Sequence, residues 1–186
     1  MNSLVVLLLL ILNIKYKTYT ELRKWFPSML YVSTFNALYY YLCKHYLLWD
    51  FKSKFLSVRA LRMIHIFLAS PLVILLYLSK YPRDLKNQLQ YNIWWIGLAM
   101  LFEVIAVKKQ VLFFRRGWNF GWSFLLYIKM FIYSYFFKER KGLILFLSVL
   151  TTVVALKIFQ VPLRRELLKG PVLLMLNKKK KKISFL

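Results

Sequence analysis

One cysteine, two histidines, five glycines and six carboxylates in 186 residues leave little material for several common kinds of chemistry. The single Cys43 excludes an intrachain disulfide and any multi-cysteine metal site. The few acids and histidines do not form pairs at helical spacing, and no HExxH, GxSxG, CxxC or glycine-rich phosphate loop occurs. The commonest membrane hydrolases and phosphatidyl transferases gather several acids or histidines near a membrane surface, and this chain does not. The expectation is therefore of no catalytic centre, no metal and no cofactor. Repeats of fixed period and flexible interdomain linkers are also missing.

Apolar runs are abundant instead. The chain is 60% hydrophobic and 19% aromatic, with a positive mean hydropathy. A water-soluble domain of this size cannot hide that much apolar surface behind so few polar groups, whereas a bilayer can receive it. Basic residues outnumber acidic ones by 29 to 6 and sit between and just inside the ends of the apolar runs. That placement suits phosphate headgroups. Nucleic acid is excluded as a partner, because its footprint is a continuous solvated basic surface.

These patterns predict an all-α, polytopic transmembrane helical bundle of six helices, with five as the alternative. Residues 1–163 form the bundle, with spans at about 3–19, 27–46, 61–78, 90–107, 118–137 and 143–159. Residues 164–186 form a basic tail that includes Lys178, Lys179, Lys180, Lys181 and Lys182, read as a tether to anionic lipid headgroups. The first run is short of the roughly 20 residues a full span wants. It spans only if the helix continues through Tyr16 and Tyr19 while Lys15 and Lys17 snorkel. A cleaved signal peptide is the competing reading, against which stand the missing basic n-region and the missing small-residue cleavage site. Pro27 marks the start of the second helix and Pro71 a kink in the third. Trp25, Trp49, Trp118 and Trp122 fall near span ends and suit an interfacial belt. Counted with the lysine tail, more Lys and Arg lie on the side of both termini, which places the termini in the cytoplasm.

Within the spans, polar residues are scarce enough to be informative. Glu103 is the one acid predicted inside a helix, and a lone carboxylate there costs about 3 kcal/mol on insertion scales unless it is partnered. Arg62, His65 and Asn119 lie at a comparable depth, with Arg115 and Arg116 in the basic turn that follows. Glu103 is therefore expected to contact at least one of these five. Packing is the simplest role for such a cluster. A cationic vestibule that also takes in Arg59, Lys44 and His45 and holds a phosphate or carboxylate headgroup is the functional alternative. A proton relay from Glu103 to His65 is another. Asn36 and Asn92 read as interhelical polar contacts, Asn92 sharing a helix face with Glu103, and Lys129 lies inside the fifth span.

Leu101-Phe102-Glu103, Ala106-Val107-Lys108-Lys109, the basic turn into Gly117-Trp118 and Ser123-Phe124 form a pattern. With Phe35-Asn36, Ser70-Pro71 and Tyr77-Leu78, it resembles a family of small uncharacterised multi-pass membrane proteins of endospore-forming Gram-positive bacteria. The likeness covers roughly residues 25–137. It implies about five helices in a bacterial plasma membrane and supplies no activity or cofactor. This chain departs from the pattern in its non-basic N-terminus, its sixth run and its lysine tail. The functional expectation is a non-enzymatic scaffold or partner subunit that touches anionic lipid and an unidentified membrane protein. The alternative is a small transporter or channel component for an anionic solute or proton.

Overall fold

The computed structural model describes residues 2–53 and 56–162. Lys178 to Lys182 and the rest of the tail lie outside them. The described chain is mostly helical. Its six helices are α1 (Asn2–Lys15), α2 (Leu22–Leu42), α3 (Val58–Ser79), α4 (Leu85–Lys108), α5 (Phe120–Phe136) and α6 (Lys141–Ile158). Of these, α3, α4 and α6 are long and apolar enough to cross a membrane.

The helix boundaries differ from the sequence expectation for local reasons. α1 stops at Lys15 instead of running to Tyr19. Its Asn13 side chain turns inward, donating to the carbonyls of Leu9 at 2.7 Å and Leu72 of α3 at 3.2 Å, and its Oδ1 accepts from the buried Thr18 hydroxyl. Lys17 adopts a left-handed conformation, and a 3-10 turn, Thr18–Glu21, leads into α2. α2 starts at Leu22, so Pro27 lies inside the helix rather than at its start. The carbonyl it deprives of a partner belongs to Arg23, an exposed residue within reach of water.

In α3 the turn before Pro71 is a π turn, His65–Ala69, in which the Ser70 amide reaches the His65 carbonyl. The Ser70 hydroxyl donates to the same oxygen at 2.8 Å. Widening the turn just upstream of a proline shifts the carbonyl register and gives the pyrrolidine ring room. α4 begins earlier than expected because Asp84 caps it, its carboxylate accepting from the Asn87 amide at 3.2 Å. Asn119 caps α5 in the same way, accepting from the Gly121 and Trp122 amides.

The all-α expectation needs one correction. Two short strands, β1 (Trp49–Phe51) after α2 and β2 (Leu112–Phe114) after α4, pair antiparallel with Asp50 opposite Phe113. Backbone bonds extend the pairing at both ends, from Lys52 to Val111 at 2.8 Å and from Arg115 to Leu48 at 2.7 Å. The strands join two interhelical connections at one end of the bundle, below called the strand end.

Two apolar clusters fill the interior. One surrounds Ile74, Tyr77 and Phe131 among α2, α3, α4 and α5, and all three are fully buried. The other, at the strand end, gathers Tyr40, Cys43, Leu48, Trp49, Ile66 and Phe159. Trp49 and Trp25 are buried within the protein instead of standing in an outer belt. Trp118 and Trp122 lie half-buried against Phe159.

Candidate functional site

The residues expected to form one polar cluster occupy two places. The first is built around β1. Arg62, on the first turns of α3, meets Asp50 of β1 through Nη2 to Oδ2 at 2.7 Å and Nε to Oδ1 at 3.3 Å. This two-point ion pair is mostly shielded, its side chains 24% and 15% exposed. The guanidinium also lies 5.5 Å from the centre of the Tyr40 ring.

One turn along α3, His65 sits in a box made by the rings of Tyr40, Trp49 and Phe51. A polar string runs from this box towards the bundle interior. Tyr40 Oη lies 3.5 Å from His65 Nδ1, Ser70 Oγ lies 3.4 Å from His65 Nε2, and Asn36 Nδ2 donates to Ser70 Oγ at 2.8 Å. Asn36 thus joins α2 to α3.

Tyr39 holds the strand end together. Its hydroxyl accepts from the Leu48 and Trp49 amides, both at 3.0 Å, and donates to the Trp49 carbonyl at 2.8 Å. Its ring stacks on the Trp49 indole with centroids 4.6 Å apart. Arg116 reinforces the corner from the other connection, donating to the Leu47 carbonyl at 2.5 Å and lying 4.0 Å from the Tyr46 ring centre. Left-handed backbone at Arg116 and Gly117 makes the turn that permits it. Cys43 lies beneath, 3% exposed, and burial pushes its thiol up to about 11.

The second place is Glu103. It is buried on α4, 5% exposed, and faces α5. Its Oε1 accepts from Ser123 Oγ at 2.5 Å, and Ser123 in turn accepts from the Trp118 indole N–H at 2.9 Å. The Tyr127 side chain, one turn beyond Ser123, is the next polar neighbour of the carboxyl. Oε2 is buried without a hydrogen bond among the described residues.

The expected contact of Glu103 with Arg62, His65, Arg115, Arg116 or Asn119 is not what the structure forms. Arg62 is engaged by Asp50, His65 by Tyr40 and Ser70, and Arg116 by Leu47. Arg59, Arg115 and Asn119 are exposed. Asn119 affects Glu103 only indirectly: by capping α5 it places Ser123 one turn in, facing α4. The polar partners missed from sequence, Asp50 and Ser123, differ in how visible they were. Asp50 lies in a segment whose strand pairing has no local signature, whereas Ser123 follows Asn119 at i+4, a spacing that puts cap and partner on one helix edge.

Asn92 and Glu103 both face neighbouring helices. Asn92 accepts from Tyr77 Oη at 2.7 Å and donates to Tyr81 Oη at 3.0 Å and to the Gln88 carbonyl at 2.8 Å. Lys129 of α5 lies over the rings of Phe35 and Tyr133, at 5.6 and 5.9 Å. Among the described residues, no group of three or more His, Cys, Asp and Glu side chains could hold a metal ion. No protein-family model, curated protein or solved structure matches the chain. What it does has to be read from its own geometry.

Proposed function

We propose that this chain is a multi-pass protein of a bacterial plasma membrane that serves as a non-enzymatic scaffold or partner subunit and contacts anionic lipid. The observation that carries this reading is the distribution of surface. α4 presents Leu89, Ile93, Trp94, Leu101 and Phe102 outward, and α6 presents Phe146, Val149, Leu150, Val153 and Val154. Arg83 and Lys86 stand at one end of α4 and Lys108 and Lys109 at the other, while Lys138, Arg140 and Lys141 precede or open α6 and Lys157 lies in its last turn. Continuous apolar faces of this size on helices of spanning length match hydrocarbon, and flanking bases match phosphates. In this reading α2 to α6 cross the bilayer. α1, about 21 Å long at 14 residues, inserts beside α3 without covering the full core of about 30 Å. The strand end, with Lys108, Lys109, Arg115 and Arg116, faces the cytoplasm.

The scaffold role rests on how the interior polar groups are used. Arg62, His65, Asn36, Asn92 and one oxygen of Glu103 are committed to protein partners that fix helix positions. Resistance to alkaline carbonate extraction, followed by affinity purification from native membranes, is the test. A carbonate-resistant protein that brings down a defined membrane partner supports the proposal. Extraction by carbonate would end the membrane reading, and recovery as a lone chain would end the subunit reading. A second reading, a small transporter or channel component, draws on the Tyr40–His65–Ser70–Asn36 string and on Lys129 over Phe35. Proton or anion flux through the protein in sealed liposomes would favour it.

A further inference from the structure

A groove of about 300 Å³ opens on the outer face of the bundle, away from the strand end, with Lys129 over the ring of Phe35 at its far limit. One wall is a face of α2 carrying Pro27, Leu30, Tyr31, Thr34 and Phe35, the i, i+3, i+4, i+7, i+8 spacing of a single helical stripe. The opposite wall is the turn between α5 and α6 together with the start of α6. The floor is rigid. The Tyr31 ring stacks on Phe137 with centroids 4.5 Å apart, and its hydroxyl is turned inward to Ser148 Oγ at 2.7 Å. Nearly all of the lining is therefore carbon. From Pro27 to Phe35 the groove extends about 12 Å along the helix. That is close to the ~15 Å half-thickness of a hydrocarbon core.

Cations gather at one end of this groove. Lys141 lines its mouth from the first turn of α6. Lys138, in the α5–α6 turn next to the lining residue Phe137, and Lys24, on the first turn of α2, stand at the same end of the bundle, both against the buried Trp25 ring at 5.4 and 4.9 Å. Of the acids at this end, Glu21, the last residue of the 3-10 turn before α2, is paired with Lys24, and Glu139 in the α5–α6 turn is outnumbered by Lys138, Arg140 and Lys141. The amide ends of α6 on the same turn have no side-chain cap, which adds to the preference for negative charge. An apolar slot about one leaflet deep, closed at the headgroup level by ammonium groups, has the charge pattern of one molecule: a phospholipid with an anionic headgroup. We infer that the groove between α2 and α6 holds one acyl chain of an anionic phospholipid, with Lys141 and Lys138 receiving its headgroup.

This rests on the membrane reading above, and the two can fail separately. The full chain is reconstituted into phosphatidylcholine vesicles containing phosphatidylglycerol and checked for co-flotation. It is then extracted in mild detergent, and retained lipid is counted by native mass spectrometry. The expected result is one retained phosphatidylglycerol in preference to phosphatidylcholine. Lys141→Gln should cut the preference about fivefold, the worth of one basic residue at an anionic surface. Thr34→Trp, an exposed position whose enlargement fills the slot, should abolish retention of either lipid. A chain that does not float overturns the membrane reading and this inference with it. A chain that floats overturns the inference alone in any of three cases: it retains the two lipids equally, keeps its preference in Lys141→Gln, or keeps its lipid in Thr34→Trp.

Discussion

The two ends of the bundle are fastened in different ways. At the strand end, connections that follow α2 and α4, more than 60 residues apart in the chain, are tied by backbone pairing, and the first of them is held to α2 by the Tyr39 hydroxyl and to α3 by the Arg62–Asp50 ion pair. At the opposite end, side chains of adjacent helices do the work. Tyr77, Tyr81, Tyr91 and Asn92 bond across α3 and α4, and Tyr135 stacks on Tyr81 from α5. The first arrangement leaves buried backbone amides dependent on one hydroxyl. The second spreads its bonds among several groups, each of which helices with regular backbone bonding can lose. The strand end should therefore be the more brittle of the two.

Breaking the strand end at its hub should give the largest effect. Tyr39→Phe keeps the ring that stacks on Trp49 but strips the buried Leu48 and Trp49 amides of their acceptor. An unsatisfied buried donor costs about 1–3 kcal/mol, so the expected loss is about 2–4 kcal/mol in detergent unfolding. Cys43 provides a local readout in the same cluster. Its buried thiol, with a pKa of about 11, should alkylate slowly near neutral pH in the wild type and severalfold faster in Tyr39→Phe. Unchanged alkylation would mean that Tyr39 does not hold this end closed.

Arg62→Ala comes next. It leaves the Asp50 carboxylate, 15% exposed, without its cation, and removes the guanidinium from Tyr40. A hydrogen bond to a charged group is worth about 1.5–3 kcal/mol, and partial exposure puts the loss towards the lower figure. The double variant Asp50→Asn with Arg62→Met should recover much of it, because neither partner is then left charged and unpaired. A double variant as unstable as Arg62→Ala would show that the pair is not the source.

The contrast between the ends also explains what could be read from sequence. The helices were legible because their apolar runs are long and their stops have local causes: Pro82, Asp84, Asn119 and Lys138-Glu139 mark boundaries within a few residues. The strands were not, since Trp49–Phe51 and Leu112–Phe114 are three residues each and their pairing exists only once α2 and α4 are placed side by side. The partner of Arg62 was hidden for the same reason, Asp50 lying on one of those strands. Glu103 was legible as a buried group in need of company, but not its company. Depth along a helix predicted a basic residue or the Asn119 amide as partner, whereas the facing direction, set by the Asn119 cap, selected Ser123. The early end of α1 turns on the inward rotation of Asn13 to Leu72, a long-range contact that no local pattern encodes.

At the tyrosine end, Tyr77→Phe tests the opposite expectation. It removes the 2.7 Å bond to Asn92 Oδ1 while keeping ring contacts to Tyr81, Tyr91, Trp95 and Phe131. Asn92 retains its bonds to Tyr81 and to the Gln88 carbonyl. Under the membrane reading proposed above, interhelical hydrogen bonds average about 0.6 kcal/mol and reach about 1.7, so a loss of about 0.5–1.5 kcal/mol is expected, smaller than for Tyr39→Phe. If Tyr77→Phe proves the more damaging substitution, the assignment of the brittle end is reversed.

The smallest effect belongs to the pair at the surface of the tyrosine end. Glu21 and Lys24 meet at 2.8 Å one turn apart, and the hydrogen bond from Lys24, the largest influence, holds the Glu21 carboxyl below its ordinary value of 4.5. A depressed folded-state value means that stability from this group is complete above 4.5 and fades as the pH falls through the lower folded value. Its size is limited because both side chains are about half exposed, and pairs of this kind contribute at most about 0.5 kcal/mol. Glu21→Gln should therefore leave the unfolding midpoint at neutral pH within error of the wild type. Lys24 keeps its place over the Trp25 ring without the glutamate, so the local packing has a second support. A clear loss of stability in Glu21→Gln at neutral pH, or a midpoint in wild type that drops steeply as the pH falls below 4.5 but not in the variant, would mean that this exposed pair fastens the tyrosine end more strongly than its buried hydroxyls do.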